Sequence, residues 1–311
     1  MLSVVIPTRN PHPERLRRTL AALAAQTLRV ANWELIIVDN ASDRSWALPP
    51  GAPRQARIVR EETPGLTPAR LRGVRESTGE TIVFVDDDNV LQPDYLAAVE
   101  RIFAAEPQLG AAGGHVRPEW EVFPPDWVLE FSGLLALRDF GATFLRCPGG
   151  AGIAWPAFAP VGAGMCVRRA AFQIYGGAVE ADPRRMELDR KKGSLASGGD
   201  NDIVFTMLHA GWDVAYCPAL QLTHLIPAAR LDPDYLARLN QGVMRTWVRV
   251  LHLHGQCPWP AISRTSVPLR AARSWFRLRA WRRPSARIRW HATLGQFQGQ
   301  ADLSPATRRP T

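Results

Sequence analysis

The sequence predicts an α/β fold built on a mixed, mostly parallel sheet flanked by helices, with a helical extension at its C-terminal end. Three observations predict it. Short apolar runs rich in β-branched residues alternate with segments of helical spacing through the first 115 residues. Two of those runs end directly in acidic residues, Asp39 and Asp86-Asp87-Asp88, and open parallel sheets bind ligands beyond the carboxyl ends of their strands. The length of 311 residues, 46% of them apolar, suits one α/β core with appendages.

The elements follow in order. Leu2 to Pro7 is an unbroken apolar run, the mark of a buried strand. Pro13 to Leu28 places Leu16, Leu20, Leu23 and Ala24 at helical spacing. Glu34 to Val38 is a second buried strand that runs into Asp39-Asn40, and Arg57 to Arg60 is a weaker third. Thr67 to Ser77 predicts a helix with Thr67 as its N-cap and Pro68 at its first position. Thr81 to Val85 is the fourth strand, leading straight into the three aspartates; Pro93 to Ala105 is a helix, and Leu109 to Val116 a Gly-rich fifth strand. Pro118 to Pro160 is rich in Pro, Gly and Trp and reads as long loops with short elements, which in compact proteins usually serve function. Then come a strand-like Val161 to Arg168, a polar loop from Glu180 to Gly199, a helix from Asp202 to Ala210, a strand around Val214 to Tyr216, and a helix from Asp232 to Leu253. These patterns suggest one α/β domain over 1–230, with halves 1–116 and 117–230, a helical Arg/Trp-rich extension over 231–303, and a disordered tail over 304–311.

Composition narrows the function. The N-terminus lacks a basic region and cleavage site, so it reads as a strand and not as a signal peptide. No apolar run approaches the roughly 20 residues that span a bilayer. Cys147, Cys166, Cys217 and Cys257 are widely spaced and form no CxxC pair, which fits reduced thiols in the cytoplasm. The net charge of +9 equals the nine arginines between Arg264 and Arg289, a stretch with no Asp, Glu or Lys. The rest of the chain is therefore neutral, and with an acidic cluster at a strand end it argues against nucleic acid as the main partner.

Three adjacent aspartates repel one another and call for a counter-charge, which a hard divalent cation supplies. A departing diphosphate also needs its charge neutralised, and a metal bridging carboxylate and diphosphate serves both needs. Ser3-Val4-Val5-Ile6-Pro7-Thr8-Arg9-Asn10, Ile37-Val38-Asp39-Asn40-Ala41-Ser42, Pro64-Gly65-Leu66 with Ala69-Arg70 and Gly73, Gly79-Glu80, and Phe84-Val85-Asp86-Asp87-Asp88-Asn89 follow one another at suitable separations. Together they resemble the family 2 glycosyltransferases of the GT-A fold, inverting enzymes that use nucleotide-sugar donors. The likeness is close over about the first 120 residues and resumes at Gly162-Ala163-Gly164-Met165, at Gly198 to Asp202 and at His224.

The resemblance implies a role for each residue. Thr8 and Asp39 match positions that hold the nucleobase; a carboxylate at Asp39 accepts the imide N–H of uracil, which favours a UDP-sugar donor. Arg70 matches a position near the donor diphosphate, where its fork suits phosphate oxygens. Asp86 matches the carboxylate on the ribose side, Asp87 a variable supporting position, and Asp88 the metal ligand of the DxD motif. His224 matches a histidine that completes the metal or diphosphate site, with Mn2+ or Mg2+ as the expected ion. Asp200 aligns with the catalytic base, although Gly199 stands where the family usually has Glu, a departure that affects acceptor-side hydrogen bonding. Asp202 is expected to cap the following helix. Trp120, Trp127 and Trp155 either stack on acceptor sugar rings or fill core.

The expected activity is inverting transfer of a sugar to a hydroxyl of a glycan or polyprenyl-linked acceptor in cell-surface polysaccharide synthesis. The expected location is cytoplasmic, peripheral on the membrane. Two alternatives stay open: a sugar-1-phosphate nucleotidyltransferase, although Pro7-Thr8-Arg9-Asn10-Pro11 stands where that class needs a Gly-rich loop, and a catalytically inactive GT-A relative. The segment 264–290 interleaves its arginines with Trp275, Phe276, Trp281 and Trp290. That composition suits an anionic membrane surface first, packing onto the protein itself second, and nucleic acid last.

Overall fold

The computed structural model describes residues 1–191 and 193–303; the tail expected over 304–311 lies outside the described residues. The chain forms two compact units, each discontinuous in sequence. The first comprises Met1–Glu121, Leu135–Met186 and Gly199–Ile226; the second comprises Val122–Leu134, Glu187–Gly198 and the chain from Pro227 onward.

The first unit holds a sheet of nine strands among the described residues: β1 (Leu2–Thr8), β2 (Trp33–Asn40), β3 (Ala56–Glu61), β4 (Thr81–Phe84), β5 (Asn89–Leu91), β6 (Leu109–Trp120), β7 (Leu145–Cys147), β8 (Cys166–Arg168) and β9 (Asp213–Ile226). Their order is β3-β2-β1-β4-β8-β6-β9-β5, with β7 also paired to β9. β1, β2, β3, β4, β6 and β9 run one way and β5, β7 and β8 run against them. This is the mixed, mostly parallel sheet that the sequence predicts. It carries α1 (Pro13–Ala24), α2 (Leu66–Glu76), α3 (Tyr95–Ala105), α4 (Arg169–Ala181) and α5 (Gly199–His209).

Strand alternation divides the apolar residues between two cores. Val4 and Ile6 join Leu16 and Leu20 of α1 and Leu96 and Val99 of α3 on one face. Val5, Ile36 and Phe84 join Leu71 of α2, Phe172 of α4 and Ile203 of α5 on the other. β3 is the open edge, and its exposed Arg57 and Arg60 discourage pairing with another chain.

Several elements differ from expectation for local reasons. Helix α2 begins at Leu66 behind Gly65, whose φ is +144°. Asn40 fixes that entry, accepting from Gly65 N–H at 2.7 Å and donating to the Thr63 carbonyl at 2.7 Å. Thr67, expected as the cap, is instead buried inside the helix. Helix α5 begins at Gly199, so Asp202 sits within its first turn, buried and ion-paired with Arg185, and does not cap it. β9 is far longer than the expected strand at 214–216, because its later half pairs with β5 on one side and β6 on the other. Residues 162–165 form a turn, and the strand there shortens to β8.

The second unit contains α6 (Pro233–Leu253), α7 (Val267–Leu278) and α8 (Pro284–Asp302), the predicted helical extension. Asp232 caps α6 by accepting from Tyr235 N–H at 2.8 Å. Arg245 of α6 pairs with Asp302 of α8 at 2.7 Å. Trp290 of α8 donates its indole N–H to the Ala271 carbonyl of α7 at 2.9 Å. Among the described residues no helix is long and apolar enough to cross a membrane. All four cysteines are free thiols.

Gly114 lies where the register between β6 and β9 shifts, and a Cβ there would overlap the Leu220 carbonyl oxygen. Gly114→Ala is expected to lower stability by about 1–3 kcal/mol, as overpacking against backbone does. Urea unfolding measures it; a loss under about 0.5 kcal/mol, the range of neutral surface changes, would mean the strands shift freely there.

Candidate active site

The site is built at the carboxyl ends of β1, β2 and β4 and on the long strand β9. Parallel register sets Thr8 beside Asp39, since β1 and β2 pair residue for residue to their ends. β4 ends at Phe84, and Asp86 to Asn89 then form a tight turn closed by Asn89 N–H donating to the Asp86 carbonyl at 3.1 Å. Asn89, wholly buried, braces that turn with its side chain. It accepts from Asp86 N–H at 3.3 Å and donates to Asp88 Oδ1 at 3.2 Å.

Strand β5 then pairs antiparallel with β9, setting Asn89 opposite His224. Leu225 N–H donates to the Asp88 carbonyl at 2.9 Å. His224 Nε2 consequently faces Asp88 Oδ2 at 3.5 Å, with both side chains buried. On its far side, His224 Nδ1 lies 2.9 Å from the Leu135 carbonyl. A carbonyl only accepts, so Nδ1 carries a proton, and Nε2 is the nitrogen turned to the aspartate. The Leu135 carbonyl thus fixes the orientation of the ring.

The acidic turn is electrostatically loaded. Burial first, then the Asp88 carboxylate, push Asp86 above the ordinary range, while Arg70 and His224 pull it back. Asp87 is pushed up to about 6 by burial and by Asp88, against a hydrogen bond donated by the Thr8 hydroxyl. Asp39 behaves differently. Burial raises it, but hydrogen bonds led by Ser42 and Arg60 outweigh burial and hold it below the ordinary range. The Arg60 guanidinium lies 2.6 Å from Asp39 Oδ2, and Ser42 N–H lies 3.2 Å from Oδ1.

Arg70 is only 2% exposed and sits over the Phe84 ring at 5.5 Å. Its Nη1 meets Asp200 Oδ1 at 2.6 Å. The other Asp200 oxygen accepts from Gly162 N–H at 2.7 Å. Gly162 must be glycine for this, because a Cβ would run into the Arg70 guanidinium and lie 2.9 Å from Asp200 Oδ2. Asp200 itself keeps a quarter of its side chain exposed. One carboxylate is thus fixed at both oxygens yet open to solvent, beside the acidic turn.

The eight residues singled out from the sequence therefore gather in two neighbourhoods. Thr8, Asp87 and Asp39 line the ends of β1 and β2, while Asp86, Asp88, His224, Arg70 and Asp200 interact electrostatically around the turn. The aromatic candidates fare unevenly. Trp155 packs on Phe205 of α5 with ring centroids 4.6 Å apart, Trp127 packs on Phe131 in the second unit, and Trp120 ends β6 half-buried. Sequence reasoning missed Asn40, Asn89, Arg60 and Arg138. Arg138 is largely buried, which lowers its pKa, and the charge of Asp200 opposes that. The two asparagines and Arg60 stand at strand ends beside residues already singled out, a usable signal; Arg138 lies in the irregular middle region and gave none.

Backbone strain marks the same loops. Asn10 after β1, Ala41 after β2, and Ala136 between the Leu135 carbonyl and Arg138 all have φ near +50° to +57°. Such conformations are uncommon for non-glycine residues and collect at functional sites.

Comparison with known proteins places this geometry. The model of Glycosyl transferase family 2 matches residues 3–166, which includes the carboxyl ends of β1, β2 and β4. A stretch of 110 residues is 30% identical to an uncharacterized glycosyltransferase of Haemophilus influenzae, covering 35% of this chain and 36% of that one. A stretch of 121 residues is 27% identical to an N-acetylglucosaminyltransferase of Bradyrhizobium elkanii, covering 37% of this chain and 65% of the other. Across five curated relatives the matched stretch spans 11% to 65% of the relative's own length, in each case less than two thirds. The solved structure of S. aureus TarS 1–349 in complex with UDP aligns over 96% of this chain and 90% of that one, at 11% identity and a TM-score of 0.49. With its family model covering just over half the chain, in a single stretch that contains the acidic turn, this protein belongs to glycosyl transferase family 2.

Proposed function

We propose that this protein transfers a sugar from a nucleoside diphosphate donor to an acceptor hydroxyl with inversion, using Asp200 as the base. The observation that carries the reading is the fixed, partly exposed Asp200 carboxylate, held by Arg70 and Gly162 beside the acidic turn. The acceptor oxygen attacks the anomeric carbon from the face opposite the nucleotide. Its proton passes to Asp200 as the new C–O bond forms, and the bond from sugar to diphosphate breaks with its electron pair leaving on the phosphate oxygen. Asp200 need not be a strong base, because the acceptor proton becomes acidic only as the bond forms.

Donor recognition follows the strand ends. Thr8 and Asp39 take the nucleobase, and an ionised Asp39 is the right acceptor for the imide N–H of uracil, so a UDP-sugar is the first donor to test. Asp86 faces the ribose, with Asp87 supporting. Arg70 also reaches toward the diphosphate, since its field is felt at Asp86. Among the described residues no group of three or more His, Cys, Asp or Glu side chains is arranged to hold a metal ion. The pair Asp88 and His224 nevertheless fits an ion shared with substrate, because Mg2+ and similar ions commonly take one or two protein ligands and complete their shell with phosphate and water. When bound, Mg2+ or Mn2+ would neutralise the leaving diphosphate. The acceptor is proposed to be a glycan or polyprenyl-linked sugar in polysaccharide synthesis, and four free thiols suit a cytoplasmic setting.

Two variants test this reading. Asp200→Asn is expected to lower transfer by roughly 10²–10⁴-fold while donor binding by calorimetry stays within about twofold of the parent; near-parental turnover would remove Asp200 as the base. His224→Ala is expected to raise the Mn2+ concentration for half-maximal nucleoside diphosphate release on the order of tenfold. An unchanged metal requirement would leave Asp88 without its partner ligand. Both rest on a screen of nucleotide sugars, in which the folded chain releasing no nucleoside diphosphate from any donor would favour a binding protein over an enzyme.

A further inference from the structure

The Arg/Trp-rich segment separates into an inward and an outward half. Trp275 and Trp290 meet edge to face with ring centroids 4.8 Å apart, and the Trp290 indole is bonded to α7. Arg287 and Arg289 are neutralised by Asp234 and Glu130. These residues fasten the second unit to itself. The outward half is held more lightly: Arg270 donates to the Ser266 hydroxyl at 3.2 Å, and Trp281 lies beside Trp275 with ring centroids 6.5 Å apart. Leu269, Phe276 and Trp281 are 57%, 68% and 55% exposed. Leu269, Arg273 and Phe276 fall on one stripe of α7 at i, i+4 and i+7, opposite the buried Ala271 and Ser274. The chain leaves the helix through Arg279, whose φ of 50° turns Trp281 back beside Phe276 at 5.8 Å. Arg270, Arg273, Arg277, Arg279, Arg282 and Arg283 are all exposed. None of these six has a carboxylate within ion-pair distance among the described residues.

We propose that this outward face of α7, with the turn after it, binds the surface of an anionic phospholipid bilayer. The three apolar side chains insert to headgroup depth and the flanking guanidiniums meet lipid phosphates, with α7 lying in the membrane plane. Charge decides among occupants. A second copy docking two-fold on this face would set six arginines against six. A nucleic acid would satisfy the arginines but has no use for the aliphatic Leu269 at one end of the stripe. The surface stands apart from the transfer reading and can succeed or fail without it.

Flotation of the full-length chain with phosphatidylcholine vesicles, with and without phosphatidylglycerol, tests it. Binding is expected only with phosphatidylglycerol and is released by high salt. Replacing Arg270, Arg273 and Arg277 by Gln is expected to lower partitioning on the order of a hundredfold, from the usual contribution of each basic residue. Leu269→Ser with Phe276→Ser is expected to abolish flotation, with the thermal melt unchanged because both positions face solvent. Brominated-acyl lipid should quench tryptophan fluorescence, and Trp281→Phe should remove that quenching. Failure to float, flotation indifferent to the arginine substitutions, or quenching unaffected by Trp281→Phe would each overturn the proposal. So would tighter binding to an oligonucleotide than to phosphatidylglycerol vesicles, or a self-association lost in the same variants.

Discussion

Asp86, Asp87 and Asp88 repel one another at the end of a buried strand, and much of the surrounding structure answers that repulsion. Burial raises the cost of ionising Asp86 and Asp87. The answers come from distant parts of the chain: a hydroxyl from β1, an asparagine clip within the turn, an imidazole from β9 and a guanidinium from α2. A site so arranged is ready for cationic charge. On the proposed function, a nucleoside diphosphate arriving with a divalent ion would relieve the aspartates and be neutralised in the same event.

Arg70 links the acidic turn to Asp200. It is a nearly inaccessible cation whose field reaches Asp86 and whose guanidinium pairs with the Asp200 carboxylate. Its hold requires that Gly162 present a bare backbone. The arrangement fixes the direction of the Asp200 carboxylate at both oxygens.

Much of this was legible in the sequence because it follows from short-range rules. Apolar runs announced β1, β2 and β4, and the acidic residues at their ends announced the site. What was missed depends on pairing. β5 is only three residues long, and the polar Gln221, Thr223 and His224 hide the later half of β9, although the β5–β9 ladder is what brings His224 to Asp88. Thr67 looked like a helix cap because nothing local reveals that Asn40 fixes the entry at Gly65. Asp202 looked like a cap because its partner Arg185 lies in an unpatterned loop. The Arg/Trp segment was ambiguous for a different reason: composition does not say which arginines find carboxylates, and only the fold separates Arg287 and Arg289 from the rest.

The discontinuity of the second unit has a consequence for synthesis. Residues 122–134 and 187–198 belong with helices that begin only after Pro227. A ribosome adding about 5–20 residues per second needs roughly 5–20 s to travel from the end of the first segment to those helices. During that interval Val128 and Phe131, both buried in the finished fold, wait for the rest of their unit, as clients for any chaperone near the exit tunnel. The second segment feeds directly into Gly199 and Asp200. A nascent chain can thus complete most of its sheet while the loop leading to Asp200 is still unmoored.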